Sequence, residues 1–445
     1  MQKTIIMELL AAMSEERFTL DELVFKIDEL FSQKALAQLL GMLLQLMDEL
    51  QAIQHCSGKA AKARQCKCGH CRYEMKDRLK RSLDTRLGRT DFAWRRLQCT
   101  HCHATWVPLR EFLGLEPWQS KSSELERIIM EVITEQSYRR TSRHLKVSAG
   151  LEVPKSTMHR WVVQSDAAEW EPEAGRPTIL MPDGTGYRRR PDPAANKTNA
   201  GELRVVLGRK RDGRWVAYGA WSGQSWEQIA AQLRGKADKP RIRGQMLVSD
   251  GEVGLADALA DLANRQQRSH WHMTRDLRVT LWHDAAPPAQ RKETAYELGD
   301  LLGISLPAAD FETVRAKDKQ AVQEQVQTAQ EGISQLIKDL AAKGYHKAAG
   351  YIHSAQNKLF SYVKFWLKTG LVCPRTTSFL ERLMRELGRR LKRIAFGWSE
   401  SGAAQMARLI LRRIVNHEDW EAYWHRRLGI QNRVHISLRA IKVLN

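Results

Sequence analysis

Three carboxylates stand in settings that could do chemistry together: Asp183 after Met181-Pro182, Asp250 after Val248-Ser249, and Glu381 within Thr377-Ser378-Phe379-Leu380-Glu381-Arg382. Each Asp ends an apolar run that reads as a buried strand, and the Glu lies on a strongly basic helix. A carboxylate at a strand's end is held rigidly and opens onto a cleft, which suits a hard, oxygen-seeking cation. Brought together, the three could hold a pair of Mg²⁺ or Mn²⁺ ions for phosphoryl transfer. Plainer readings compete: an Asp-Gly pair is often only a turn, and a Glu among arginines often only a salt bridge. The apolar strands leading into Asp183 and Asp250 speak against the turn. Glu386 also lies on the Glu381 helix, about 140° around from it, so only one of the two can face the cations.

The bulk composition fits a polyanionic partner. The chain has 445 residues, 43% of them hydrophobic, with 71 Lys and Arg against 51 Asp and Glu and a net charge of +20. That length implies two to four domains with real cores. The charge excess favours nucleic acid, since each neutralised phosphate releases counterions. A ribosomal or membrane-surface protein would carry the same excess, so charge restricts the partner without naming an activity. Ile5 to Leu10 is soon followed by Glu15, Glu16 and Arg17, an amphipathic pattern rather than a secretory core. No apolar run approaches the about 18 residues of a membrane span. Seven cysteines, four in two close pairs, suggest metal binding in a reducing compartment. The expectation is a cytoplasmic, nucleoid-associated protein with no membrane partner.

The elements that must position the carboxylates follow from texture. Residues 1–55 read as a helical region, with Leu36, Leu39, Leu40, Leu43, Leu44 and Met47 at helical spacing, suited to a small bundle or a dimerisation element. Pro172 and the stretch from Gly175 to Pro177 mark a boundary. Beyond it, 178–181, 203–207 and 215–220 read as successive strands, the last two joined by an Asp212-Gly213 hairpin turn. A helix (226–233), a strand (245–249) and a helix (255–262) follow, and a further strand is expected to carry His270 and His272. This alternation predicts a mixed α/β sheet over 171–304. Residues 305–370 read as a charged helical insertion, and 371–445 as final helices with a basic tail.

Two smaller modules precede the sheet. In 56–112, Cys68-Gly69-His70-Cys71 and Cys99-Thr100-His101-Cys102 form two C-x-x-C pairs, able to grip one structural Zn²⁺ from two knuckles, with 85–94 as the hairpin between them. Cys66 is a substitute ligand, and His70 and His101 can compete; Cys56 and Cys373 read as ordinary residues. In 113–170, a helix from Tyr138 and a second from Pro154 resemble a helix-turn-helix. Ser156, Thr157, His159 and Arg160 would project from the second helix toward base edges and phosphates. A generic helical hairpin is the competing reading.

In this order, Asp183-Gly184, Asp250-Gly251, Glu381, Gly397-Trp398-Ser399 and Met406-Ala407-Arg408-Leu409 resemble a bacterial insertion-sequence transposase of the DDE class, in its Mutator-like branch. The upstream ribbon and helix-turn-helix fit that plan, so the resemblance covers most of 60–415. It implies an RNase H-like core with Asp183 on its first strand, Asp250 on its fourth and Glu381, rather than Glu386, on a late helix after the insertion. It implies metal-dependent cleavage of transposon ends and strand transfer to target DNA, by at least a homodimer. The family carries a Cys or Asp, two residues, then His; here Ser269 stands at the first position and His272 at the last, so His272 is a supporting candidate. Arg382, Arg385, Arg389, Arg390 and Arg393, with Lys392, would hold phosphates, and Trp398 either stacks on a base or caps the core. A DNA-binding regulator, or an RNase H-fold repair nuclease, would share parts of this pattern.

Overall fold

The computed structural model describes residues 33–56, 65–170, 177–191, 199–234, 244–252, 254–307, 311–392 and 397–429. The expected helix within 1–32, Arg393 and the tail beyond 429 lie outside them. The chain forms two units, Met1–Gln164 with Trp424–Asn445, and Ser165–Tyr423.

In the first unit, helix α1 (Gln33–Cys56) lies on a three-stranded antiparallel sheet of β1 (Tyr73–Thr85), β2 (Gly88–Cys99) and β3 (Thr105–Trp106). Its apolar spacing explains the docking: Leu40, Leu44 and Met47 face Leu83, Phe92, Trp94 and Leu109, whereas Leu39 and Leu43 point outward. The β1–β2 hairpin closes through Thr85 opposite Gly88, which takes φ 109°, a conformation costing glycine little. One polar clamp fixes the helix on the sheet. Buried Asp48 accepts from the Arg95 backbone N–H at 2.9 Å and from its guanidinium at 3.1 Å. The half-buried Arg95 guanidinium also reaches Glu49 at 3.3 Å, so losing Asp48 removes two hydrogen bonds without stranding a charge. Asp48→Ala is therefore expected to cost about 2 kcal/mol, read as a lower thermal midpoint for this unit.

After α2 (Pro108–Phe112), three helices follow: α3 (Ser123–Ile133), α4 (Tyr138–Ala149) and α5 (Lys155–Gln164). Ser122 and Ser137 cap α3 and α4 by accepting the N–H of Leu125 and Arg140, and Gly150 ends α4 in the left-handed region. Leu125, Ile129, Met130, Ile133, Leu145, Met158, Trp161 and Val162 are buried.

The second unit holds a five-stranded mixed sheet in the order β6-β5-β4-β7-β8. Here β4 (Ile179–Arg188), β5 (Ala200–Arg209) and β6 (Trp215–Ser222) form an antiparallel meander, while β7 (Gly244–Ser249) runs parallel to β4, and β8 (Ala263–Arg268) parallel to β7. Helices α6 (Trp226–Arg234) and α7 (Leu255–Ala258) cover one face, burying Trp226, Ile229, Leu233 and Leu255 against Leu180, Val206 and Leu247.

The strand expected to carry His270 and His272 is instead β8, which stops at Arg268. Both histidines open helix α8 (His270–His283), whose Met273, Leu277 and Leu281 recur every four residues and bury one face. Further helices are α9 (Pro288–Leu301), α10 (Ala316–Ala342), α11 (His346–Ala355) and α12 (Ser361–Thr369), packed on one another beside the sheet. Then α13 (Ser378–Leu391) packs on β4 and α14 (Glu400–Ile414) on β6, and α15 (His417–Leu428) is the last described helix. No helix among the described residues is long and apolar enough to cross a membrane.

Candidate functional site

Asp183 sits within β4 rather than at its end. All ten residues of β4 pair with β5, but its pairing with β7 stops at Leu180–Leu247. Asp183 thus lies where β4 runs beyond its parallel neighbour, and Asp250 follows directly on the end of β7. The opening left where adjacent parallel strands end is where α/β sheets place their reactive groups. Glu381 arrives on the first turn of α13, which packs on β4.

The electrostatics tie the three together. Burial, and then the charge of Asp250, push the Asp183 carboxyl up to about 7, with Glu381 and Glu252 adding to the rise. The N–H of Gly184 donates to Asp183 at 2.7 Å and only partly offsets this. Among the described residues, groups of three or more His, Cys, Asp or Glu whose ligand atoms all lie within 4.8 Å of one another occur only in the cysteine ribbon. The carboxylates are spread more widely than that.

Asp250 accepts the N–H of Glu252 at 2.9 Å. Between them Gly251 takes φ 81°, which strains any residue with a Cβ, and a Cβ there would also have to displace the Arg268 guanidinium. Glu381 is anchored by Thr377, whose hydroxyl donates to Oε1 at 2.9 Å; the buried Ser269 hydroxyl lies 3.4 Å from Thr377. Glu386 instead pairs with Arg389 at 2.8 Å on the other side of the helix.

His272 is buried between Glu381 and Asp276, with ring nitrogens 3.4 and 3.8 Å from their carboxylate oxygens. Neither nitrogen has a hydrogen bond in the fold. Burial and Arg275 lower its pKa, against the pull of Asp250, Asp276 and Glu381. His270, buried and bonded to the Leu359 carbonyl at 2.7 Å, is pushed down to about 4 by burial and belongs to the core.

Several residues of this face were not singled out in the sequence. Glu252 accepts from the Trp226 indole at 3.0 Å and lies 3.7 Å from Arg204, which also pairs with Glu202 at 2.8 Å. Glu252 sits two residues beyond Asp250 and could have been found on that ground. Thr377 and Ser269 meet across 108 positions, for which a single sequence holds no signal.

Of the basic residues on α13, Arg382, Arg385 and Arg389 are exposed, but Arg390 is not. It is buried on the apolar side with its guanidinium 5.0 Å from the Trp398 ring, so it leaves the phosphate-facing set. Trp398 caps the core: it is buried, and its backbone bonds with Arg188 and Arg190. On α5, Ser156, His159 and Arg160 are exposed and Thr157 half-buried, while Met158 and Trp161 turn inward.

The ribbon has four clustered cysteines that could bind zinc, and they differ in one member from the expected set. They are Cys66, Cys68, Cys99 and Cys102, with Cys66 and Cys102 sulfurs 3.4 Å apart and Cys68 and Cys99 sulfurs 3.7 Å apart. A tetrahedral zinc with sulfurs at about 2.3 Å separates them by roughly 3.8 Å, whereas a disulfide needs about 2.05 Å. The donor set therefore fits Zn²⁺. Cys71 is displaced because the first knuckle turns earlier. The Cys66 carbonyl accepts from Gly69, which is left-handed, and the Cys66 N–H donates to His70, leaving Cys71 exposed beyond the turn. Backbone N–H groups of Cys102 and His101 aimed at Cys99 bring its thiol down to about 6, as a ligand thiolate needs. His70 and His101 stack at 3.9 Å and make a second donor set with Cys68. Of the remaining cysteines, Cys373 is buried and its thiol pushed up to about 12 by burial, and Cys56 is exposed at the end of α1.

Neither a protein-family model nor a curated protein matches this chain.

Proposed function

We propose that the protein is a DDE-class DNA transposase of the insertion-sequence type, which binds transposon ends, nicks them and transfers the freed strand. The observation that carries this reading is Asp183, a buried carboxylate burdened by Asp250 and Glu381, groups far apart in the chain. Carboxylates that weigh on a buried neighbour in this way favour a divalent cation that would join them. Support for an RNase H-like core is topological. The first three strands of the sheet meander, the first lies parallel beside the fourth, and Asp183 is on the first. Asp250 follows the fourth strand, and Glu381 follows a helical insertion, the places the resemblance implies.

Asp183, Asp250 and Glu381 would hold Mg²⁺ or Mn²⁺, hard cations suited to an all-oxygen donor set. When bound, the ions lower the pKa of the attacking water or 3′-hydroxyl and neutralise charge on the phosphate. The chain's own residues prepare that work. Thr377 fixes one oxygen of Glu381 and so orients the other. His272, beside Glu381 and with neither ring nitrogen hydrogen-bonded, stands ready to hold or pass a proton. Arg382 and Arg385 offer exposed positive charge on the same helix for the DNA backbone. The exposed polar face of α5 would read the ends, and the ribbon would stiffen that unit. Joining two ends in one complex calls for at least two copies of the chain.

The test is to incubate the purified protein with Mg²⁺ and DNA bearing the element's own ends, beside Asp250→Asn and an EDTA control. End-specific nicks are expected for the unaltered protein with Mg²⁺ and nowhere else. Specific binding without cleavage would turn the assignment to a DNA-binding regulator, and cleavage of branched DNA without end preference to a repair nuclease.

A further inference from the structure

Helix α8 has three faces with different business. Met273, Leu277 and Leu281 enter the core; His272 and Asp276 border Glu381; Trp271, Arg275, Arg278 and Trp282 form the third. At 100° per residue those last four fall within about 60° of one another, a single stripe. It is exposed: Trp271 by 44% and Trp282 by 59%. Two tryptophans this open on an ordered helix are unusual, since burying such a ring is worth a good deal to the fold.

Cations are threaded between the rings. The Arg275 guanidinium lies 4.7 Å from the Trp271 ring centre, and Arg278 lies 5.6 Å from the ring of Tyr296 on neighbouring α9. Tyr296, itself 57% exposed, also has the Lys292 ammonium at 5.7 Å. Glu293, Glu297 and Asp300 line the same hollow as Lys292 and Tyr296, so the basic track runs along α8 and ends at Tyr296. Alternating aromatic faces and cations are how proteins hold an unpaired nucleic-acid strand: bases stack on the rings and phosphates meet the charges. A duplex offers no free base faces, and a protein partner would not call for so many cations.

Resting on the reading of the carboxylate site as one that acts on DNA, we infer that this face binds a short unpaired DNA segment beside the cut. Trp271 touches His272 edge to face at 4.8 Å, and His272 touches Glu381, so the track begins at the site itself. From Trp271 to Trp282 the helix rises about 16 Å, room for roughly five stacked nucleotides.

The experiment measures binding in EDTA, where no cleavage occurs, by fluorescence anisotropy. The probes are a labelled duplex with a five-nucleotide single-stranded flank, the same duplex with an abasic flank, and a blunt duplex. The full-length protein is expected to favour the flanked duplex over both others by at least about fivefold, the effect of one or two stacked bases. Trp282→Ala, exposed and remote from the carboxylates, removes most of that preference, Trp271→Ala acts likewise, and Trp282→Phe restores it. Equal binding of flanked and abasic probes, or flank preference untouched in the Trp271→Ala/Trp282→Ala double variant, overturns the inference. If the unaltered protein shows the flank preference but never nicks in Mg²⁺, the stacking face stands and only the transposase reading falls.

Discussion

Asp183→Asn is expected to lower end cleavage by at least about a thousandfold, the loss of some 4 kcal/mol of transition-state stabilisation, and yet to stabilise the metal-free protein. The two effects share one cause. In the folded chain Asp183 keeps its proton up to about 7, because burial first and the Asp250 charge second penalise its ionised form. Unfolded, the same carboxyl ionises near 3.9. The folded value being the higher, the associated stability is fully present below about pH 4 and is lost as pH rises through 7. Ionising Asp183 in place then costs at most about 4 kcal/mol above pH 7, and Asn carries no such charge.

Metal-free Asp183→Asn should therefore unfold several degrees above the unaltered protein at pH 8, with the gap closing toward pH 4. Mg²⁺ should raise the midpoint of the unaltered protein and leave the variant nearly unmoved, because a cation relieves the same repulsion that Asn removes. Equal midpoints at pH 8 would mean that the carboxylates are not under mutual strain. Undiminished cleavage by the variant would sink the transposase reading itself. A group that costs stability and is kept is the usual mark of a working site, and this pair of measurements separates the two roles.

How much of this could be read from the chain depends on the range of each interaction. Asp250 was legible because the apolar run over 245–249 stops there and β7 stops with it. The strand of Asp183 was legible but its end was not. Thr185 to Arg188 pair with β5 alone, and of them only Tyr187 is buried, so no apolar run marks them. His270 and His272 follow directly on the short strand β8, where a strand could equally have continued. Only the recurrence of Met273, Leu277 and Leu281 decides for a helix.

Arg390 could have been excluded at once. It shares the side of α13 that carries Leu383, Leu387 and Leu391, and that face packs inward. The Thr377–Glu381 bond spans a single helical turn and was within reach, whereas the contact of Ser269 with Thr377 exists only after the chain has closed over 108 positions. The same holds for the α8 stripe. Its spacing is in the sequence, but its exposure is a property of what packs elsewhere.

The cysteine ribbon allows a sharper choice between two sets that share three members. Cys66→Ser is expected to lose bound zinc, whereas Cys71→Ser keeps one zinc per chain, measured by chelator release from the purified proteins. Cys66 contributes a sulfur 3.4 Å from that of Cys102, while Cys71 is exposed past the knuckle's turn. Losing a ligand should weaken zinc by more than about a hundredfold, beyond what loss of a ligand's hydrogen-bonding support costs. His70→Ala should retain the metal, because exposed His70 and His101 do not complete the four-sulfur site. The structural consequence should be as large as the metal's. Around the knuckles the buried apolar residues are Tyr73, Leu97 and Cys99, too few to hold this end of the hairpin by themselves. Zinc contributes on the order of 10 kcal/mol to folding in small sites of this kind. Cys66→Ser and Cys99→Ser should therefore expose the Trp106 ring, seen as a red shift of its fluorescence, while α1 stays docked through Leu44, Phe92 and Trp94. Zinc kept by Cys66→Ser and lost by Cys71→Ser would instead place the first knuckle on Cys68 and Cys71, with its turn one step later in the chain.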